Sequence, residues 1–191
     1  GVYMTHHLSG YTGLNLDITD HLTEGENSVA VRVNSDQTEG WWYEGSGIYR
    51  NVNLYVTEPV CFKFNKTQII SEVGGKVFAK AVLLNDTDKT FKSEVKWNVL
   101  DGKSTVATVK TAVEIAPYCE KEISAELFVE NPVLWDTENP HLYTLEIEAA
   151  DTVYETFGIR SAVFDADKGF LLNGKVVKIH GEGALKRRIM D

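Results

Sequence analysis

At 191 residues the chain has material for one large or two small domains, and 43% apolar with 25% charged residues is ordinary for a folded globular protein and unlike a disordered one. A net charge of −9 argues against nucleic acid or an anionic membrane as partner, since phosphate contacts need clustered Lys and Arg and the basic run Lys186-Arg187-Arg188 stands near the end. No apolar run approaches the roughly 20 residues that span a bilayer, and the opening residues lack the charged start and apolar centre of a signal peptide.

Along the chain the dominant period is two, which puts alternate side chains on one face of a strand. It begins with Val29, Val31 and Val33, and returns at Val52, Leu54 and Val56. Val77, Ala79, Ala81 and Leu83 follow, then Val95, Trp97 and Val99, then Val113 and Ile115, then Ile123, Ala125 and Leu127. Tyr143, Leu145 and Ile147 continue it, and "TVYETFGI" extends it. Turn signals punctuate the strands: Gly74-Gly75, Asp101-Gly102, and Asn173-Gly174 between "GFLL" and "KVVKI", where an Asn-Gly pair suits a tight hairpin. Short alternating strands separated by such turns predict an antiparallel β-sandwich. The first residues with helical character come at "GALKRRIMD", from 183 onward.

Two boundaries suggest themselves, near Glu58-Pro59, where Pro removes a ladder donor, and between Gly158 and Asp165. Residues 59–158 have the length and strand number of an immunoglobulin-like sandwich. Residues 1–58 hold too few strands to close a sandwich alone, so they are expected to be part of a larger domain or incomplete.

Chemistry is sparse. Glycoside hydrolysis needs two facing carboxyl groups, but the acids here mostly alternate with apolar residues, as in "YTLEIEAA", the pattern of a solvated sheet face. His6 and His7 are adjacent and on a strand would point to opposite faces, a poor arrangement for sharing one metal ion. Cys61 and Cys119 lack metal-ligand spacing and read as ordinary free thiols. No phosphate-binding glycine loop, nucleophile elbow or zinc-protease spacing occurs, so no catalytic residue and no metal ligand is assigned. The remaining candidate is "WWYEGSG", where Trp41, Trp42 and Tyr43 could offer aromatic platforms to sugar C–H faces. The competing reading has one ring filling a core while the glycines permit a turn, and on physical grounds alone it weighs more.

Three segments carry a resemblance. "SGYTGLNLDITDHLTEGENSVAVRVNSD" followed by "WWYEGSGIYRNVNLYV" resembles the end of the amino-terminal jelly-roll domain of glycoside hydrolase family 2, the β-galactosidase and β-glucuronidase group. "ENPVLWDTENPHLYTLEIE" is similar to the segment closing that family's immunoglobulin-like second domain. "ETFGIRSAVFDADKGFLLNGKVVKIHG" resembles its entry into the catalytic (β/α)8 barrel, and "ALKRR" looks like the start of the barrel's first helix in β-galactosidases. Residues 66 to 125 match in architecture only. The family normally has a His-His segment and a loop after the position of Gly181; here Gly181 passes almost directly to the helix start, so a loop of about fifteen residues is either deleted or omitted.

The resemblance implies an all-β chain in three parts: 1–58, the end of a jelly roll; 59–158, a whole immunoglobulin-like sandwich; and 159–191, a β-hairpin and helix start of a truncated barrel. It implies a retaining glycosidase acting on a β-galactoside or related carbohydrate, whose acid/base and nucleophilic glutamates lie beyond Asp191. This portion is therefore expected to brace the barrel and to be inactive alone. No cofactor is expected in this chain; metal use by the full enzyme, oligomeric state and compartment stay open. Asp36, in "NSDQTEGWW", sits in a loop comparable to one that touches sugar in some relatives, so Asp36, Trp41 and Trp42 are the substrate-binding candidates. Arg50, in "GIYRNV", is expected to pair with an acid or a carbonyl. The alternative readings are a stand-alone carbohydrate-binding β-sandwich module and a purely structural adhesion-type sandwich.

Overall fold

The computed structural model describes residues 1–35 and 46–179, and the chain divides into two units, Gly1–Leu54 and Tyr55–Asp191. The second unit carries eleven strands among its described residues: β1 (Val60–Phe62), β2 (Gln68–Ser71), β3 (Lys76–Asn85), β4 (Phe91–Asp101), β5 (Ser104–Ile115), β6 (Cys119–Phe128), β7 (Tyr143–Glu148), β8 (Thr152–Phe157), β9 (Ala162–Asp165), β10 (Gly169–Leu172) and β11 (Lys175–Val176). All ladders are antiparallel. In one sheet β3 is central, with β6 along one edge and β2 and β1 in turn along the other. A second sheet runs β5-β4-β7-β8, and a small third one runs β11-β10-β9.

Period two makes the sandwich. Val77, Ala79, Ala81 and Leu83 of β3 are buried, as are Val95, Trp97 and Val99 of β4, Ile123, Ala125 and Leu127 of β6, and Tyr143, Leu145 and Ile147 of β7. These rows form one core, and each large side chain withdrawn from water contributes about 1.5–3 kcal/mol. Trp97, fully buried, donates its ring N–H to Thr111 Oγ1 at 2.9 Å, so the largest ring in the core leaves no polar atom unpaired. Tyr143 opens β7 with its hydroxyl accepting the Val133 N–H at 2.8 Å, a tyrosine-corner arrangement that pins the preceding loop. Cys61 and Cys119 are free thiols, and the sandwich holds together without a disulfide.

One buried residue on the core face is polar. Asn85, at the end of β3, donates from Nδ2 to the carbonyls of Lys89 at 2.8 Å, Ile115 at 3.3 Å and Ala116 at 3.1 Å, while its Oδ1 accepts from the Thr87 N–H and hydroxyl. Every polar atom of the amide is satisfied, which makes its burial tolerable and ties the β3–β4 turn to the end of β5.

The hairpin expected at Asn173-Gly174 is present: β10 pairs β11, and both turn residues have positive φ, 50° and 78°. β11 spans two residues, shorter than "KVVKI" suggests, although the Val177 N–H still reaches the Phe170 carbonyl at 2.9 Å. β9, β1 and β2 were not anticipated, being too short to show a period.

Alternation in the first unit gives a different result. Strands were expected at 29–33 and 52–56, yet neither stretch is a strand, and the secondary structure among the described residues of 1–54 is a 3-10 turn at Thr19–His21. Val29, Val31 and Val33 are 77%, 62% and 47% exposed, and Val52 and Leu54 are 79% and 74% exposed. An alternating segment becomes a strand only when a neighbour accepts and donates along its ladder, and these two have no ladder partner among the described residues. The expected helix start at Ala184 to Arg188 lies outside the described residues.

Candidate functional site

Asp36, Trp41 and Trp42 lie outside the described residues, so the structure adds only what flanks them. The hydroxyls of Ser35 and Ser46 are hydrogen-bonded to each other across the ten residues 36–45. Nearby motif residues serve local architecture. The Asp17 carboxylate accepts the Thr19 N–H at 2.9 Å, and this bond, with the Thr19 hydroxyl behind it, holds its pKa below the usual carboxylate value. Asn27 closes the 23–27 loop by accepting the Thr23 N–H at 2.9 Å and donating to the Thr23 carbonyl at 2.8 Å. Tyr49 donates its hydroxyl to the Gly10 carbonyl at 2.7 Å. Arg50 sets its guanidinium carbon 5.7 Å from the Tyr49 ring centroid, an aromatic neighbour among the described residues. His7 Nε2 lies 2.8 Å from Thr12 Oγ1, which makes it a partner in a loop hydrogen bond.

Carboxylates on the sandwich pair across strands. Lys63–Glu120, Lys80–Glu122, Lys92–Glu114 and Lys110–Glu94 form exposed ion pairs at 2.5 to 2.9 Å. On the outer face of the β5-β4-β7-β8 sheet, Thr108 donates to Asn98 Oδ1 at 2.6 Å and Asn98 donates to Glu146 Oε2 at 2.7 Å. The neighbouring Glu146 carboxylate raises the pKa of the Tyr154 phenol. Glu120 shifts down, held charged by the Lys63 ammonium. A carboxyl moved downward is a poor proton donor at neutral pH, so Asp17 and Glu120 suit structural roles and not general acid catalysis.

A denser construction gathers residues from two of the motif segments at the end of the sandwich. After β8 the chain runs through residues 158–161 toward β9. Gly158 lies directly beneath Trp135; a Cβ there would fall 2.8 Å from Trp135 Cβ and 2.9 Å from its Cγ, closer than side chains approach. The Trp135 N–H donates to the Ile159 carbonyl at 2.9 Å, and Arg160 stacks its guanidinium 4.5 Å from the Trp135 ring centroid. Asn173 closes the arrangement: Nδ2 donates to the Trp135 carbonyl at 3.0 Å, and Oδ1 accepts the Ser161 N–H at 2.9 Å. Asp136 begins a turn beside it, its Oδ1 accepting the N–H groups of Glu138 and Asn139 at 2.9 and 2.7 Å. Gly158, Trp135, Arg160 and Asn173 therefore fit one another within this chain through packing, stacking and hydrogen bonds.

A sandwich closed in this way, ending in a clamped hairpin, matches known proteins. The profile of glycosyl hydrolases family 2 fits residues 64–160, just over half of the chain. The chain belongs to this family. Among the relatives of this family-2 chain, the β-galactosidase BoGH2A of Bacteroides ovatus is 34% identical over 185 residues, covering 90% of this chain and 22% of the relative. A β-glucuronidase of Formosa agariphila is 28% identical over 216 residues, covering 96% of this chain and 22% of its own length. The crystal structure of a family 2 member from Bacteroides cellulosilyticus DSM 14838 superposes with a TM-score of 0.79 at 30% identity, over 90% of this chain and 25% of that one. The chain thus spans about a fifth to a quarter of the proteins it matches.

The segments around Trp135, Gly158 and Asn173 stand apart in the sequence as separate motifs, and only the fold brings them together. The signal was there in one form: a glycine after β8 and an asparagine at a turn, each beside a residue that packing could use. What was missing was the contact between positions 38 residues apart.

Proposed function

We propose that this chain is a non-catalytic portion of a retaining, β-galactosidase-like glycosidase, in which 1–58 ends a jelly-roll domain, 59–158 is the immunoglobulin-like domain and 159–191 begins the (β/α)8 barrel. Its work in the parent enzyme is to brace the barrel and shape the rim of its site. The observation that supports this reading is the cluster of Trp135, Gly158, Arg160 and Asn173, which spends the motif residues on holding a sandwich to the hairpin after it. In the parent, a protonated glutamate would assist departure of the aglycone oxygen while a second attacks the anomeric carbon to form a glycosyl-enzyme. Both glutamates belong to sequence outside these 191 residues on this reading, and removing such groups costs orders of magnitude in rate.

The test is an assay of the purified chain against nitrophenyl β-galactoside and nitrophenyl β-glucuronide, both included because the relatives are named for both activities. No turnover is expected; turnover that copurifies with the chain would overturn the proposal. Asp36, Trp41 and Trp42 are proposed as rim residues of the parent's site. Asp36→Ala in the parent is expected to raise KM for the sugar, and an unchanged KM removes Asp36 from the set. Tryptophan fluorescence that saturates on titrating the isolated chain with galactosides would favour the carbohydrate-binding module instead.

A further inference from the structure

We infer that Asn173 is the positioning residue of a rigid joint, which fixes the direction in which the chain leaves the sandwich and makes the sandwich and the β9–β11 sheet move as one body. Four residues, 158–161, connect β8 to β9, and each ordinary residue in such a link contributes two soft torsions. A free link of that length would let the small sheet swing. Here the backbone of the link is held at every position but one. Ser71 donates its hydroxyl to the Gly158 carbonyl at 3.1 Å, and the Ile159 carbonyl receives the Trp135 N–H. Ser161 gives its N–H to Asn173 Oδ1 and takes the Asn173 N–H on its carbonyl, both at 2.9 Å. Arg160, the remaining residue, lays its guanidinium over Trp135, and Ile159 between them is fully buried.

Asn173 joins three pieces of chain: the hairpin turn in which it sits, the link through Ser161, and the Trp135 loop through its amide donor. Its φ of 50° could be supplied by glycine at least as well. Glycine, however, would keep the turn and the main-chain bond to the Ser161 carbonyl but lose the side-chain bonds to the Ser161 N–H and the Trp135 carbonyl, so the side chain and not the turn calls for asparagine. The joint stands on geometry within this chain; only its importance to catalysis rests on the proposal that residues 159–191 lead into a barrel.

The experiment uses the 191-residue chain. Residual dipolar couplings are measured for amides of β3 to β8 and of β9 to β11 in wild type, Asn173→Gly, Asn173→Asp and Trp135→Phe. Wild type and Trp135→Phe, which keeps the main-chain bonds and an aromatic cover, are expected to fit a single alignment tensor. Asn173→Gly is expected to need two tensors, with amide exchange at Ser161 and Asn173 faster by about tenfold or more and exchange in β4 unchanged. Asn173→Asp keeps the acceptor and tolerates positive φ, so it should protect Ser161 while releasing the Trp135 carbonyl. Wild type that already needs two tensors, or Asn173→Gly that still fits one, overturns the inference. If Asn173→Gly does not fold, Asn173→Asp decides it: wild-type exchange and couplings throughout would overturn the role of the amide donor. None of these readouts depends on glycoside turnover, so the joint and the proposed function fail separately.

Discussion

The two units of the chain carry the same sequence pattern and treat it differently. Val77, Ala79, Ala81 and Leu83 are at most 1% exposed, whereas Val29, Val31 and Val33 range from 47% to 77%. Both runs alternate, and both place apolar side chains where a buried face would want them. The first is flanked by β6 on one side and β2 and β1 on the other, while the second has no ladder neighbour among the described residues. Alternation is thus a statement about what a strand could bury, and pairing decides whether it does.

Substitutions can test how far that contrast goes. The largest effect is expected from Trp97→Ala, which removes the fully buried ring and leaves a cavity, destabilising by about 3–5 kcal/mol. Urea denaturation would measure it, and a loss below 1 kcal/mol would mean the sandwich core is not where the structure places it. Asn85→Ala should follow at up to about 3 kcal/mol, since the carbonyls of Lys89, Ile115 and Ala116 lose their donor inside the fold. Gly158→Ala should cost about 1–3 kcal/mol by forcing Trp135 off its present position, with a change in tryptophan emission to accompany it. Unchanged stability and emission would show that the contact is slack.

In the first unit the expectation is of near silence. Val31→Ala, at a residue 62% exposed, is expected to shift stability by less than about 0.5 kcal/mol, and a loss of several times that would put this valine in a packed layer after all. The smallest effect concerns Asp17. Its pKa is lowered by the Thr19 N–H, so its contribution is fully present above the unfolded value of about 3.9 and is lost as pH falls through its folded pKa. Carboxyl NMR should place its midpoint below that unfolded value, and Thr19→Ala should raise it only part of the way, because the backbone donor remains. A midpoint at or above the unfolded value would dismiss the loop geometry.

Much of the fold was legible because its signals are local. Rows such as Val95, Trp97 and Val99 mark a face without reference to any other part of the chain, and Asn173-Gly174 marks a hairpin because few pairs accept two positive φ values. β1 and β2 were not, since three or four residues cannot display a period. Asn85 was missed for a different reason. A polar residue ending an alternating row reads as a turn, and its burial follows only from carbonyls that arrive from positions 115 and 116. The candidates Asp36, Trp41 and Trp42 came from composition and resemblance and lie outside the described residues.

By itself, the sequence determined the class of the chain, the faces of its longer strands, the place of its last hairpin and, through three motifs, its family. The first three follow from periodicity and turn chemistry, which act over a few residues, and the family follows from the resemblance of those motifs to known ones. Only the tertiary structure decided which alternating runs become strands, and that Trp135, Gly158, Arg160 and Asn173 form one joint. Ladder pairing and close packing depend on what lies opposite in space, and no local spacing carries that information.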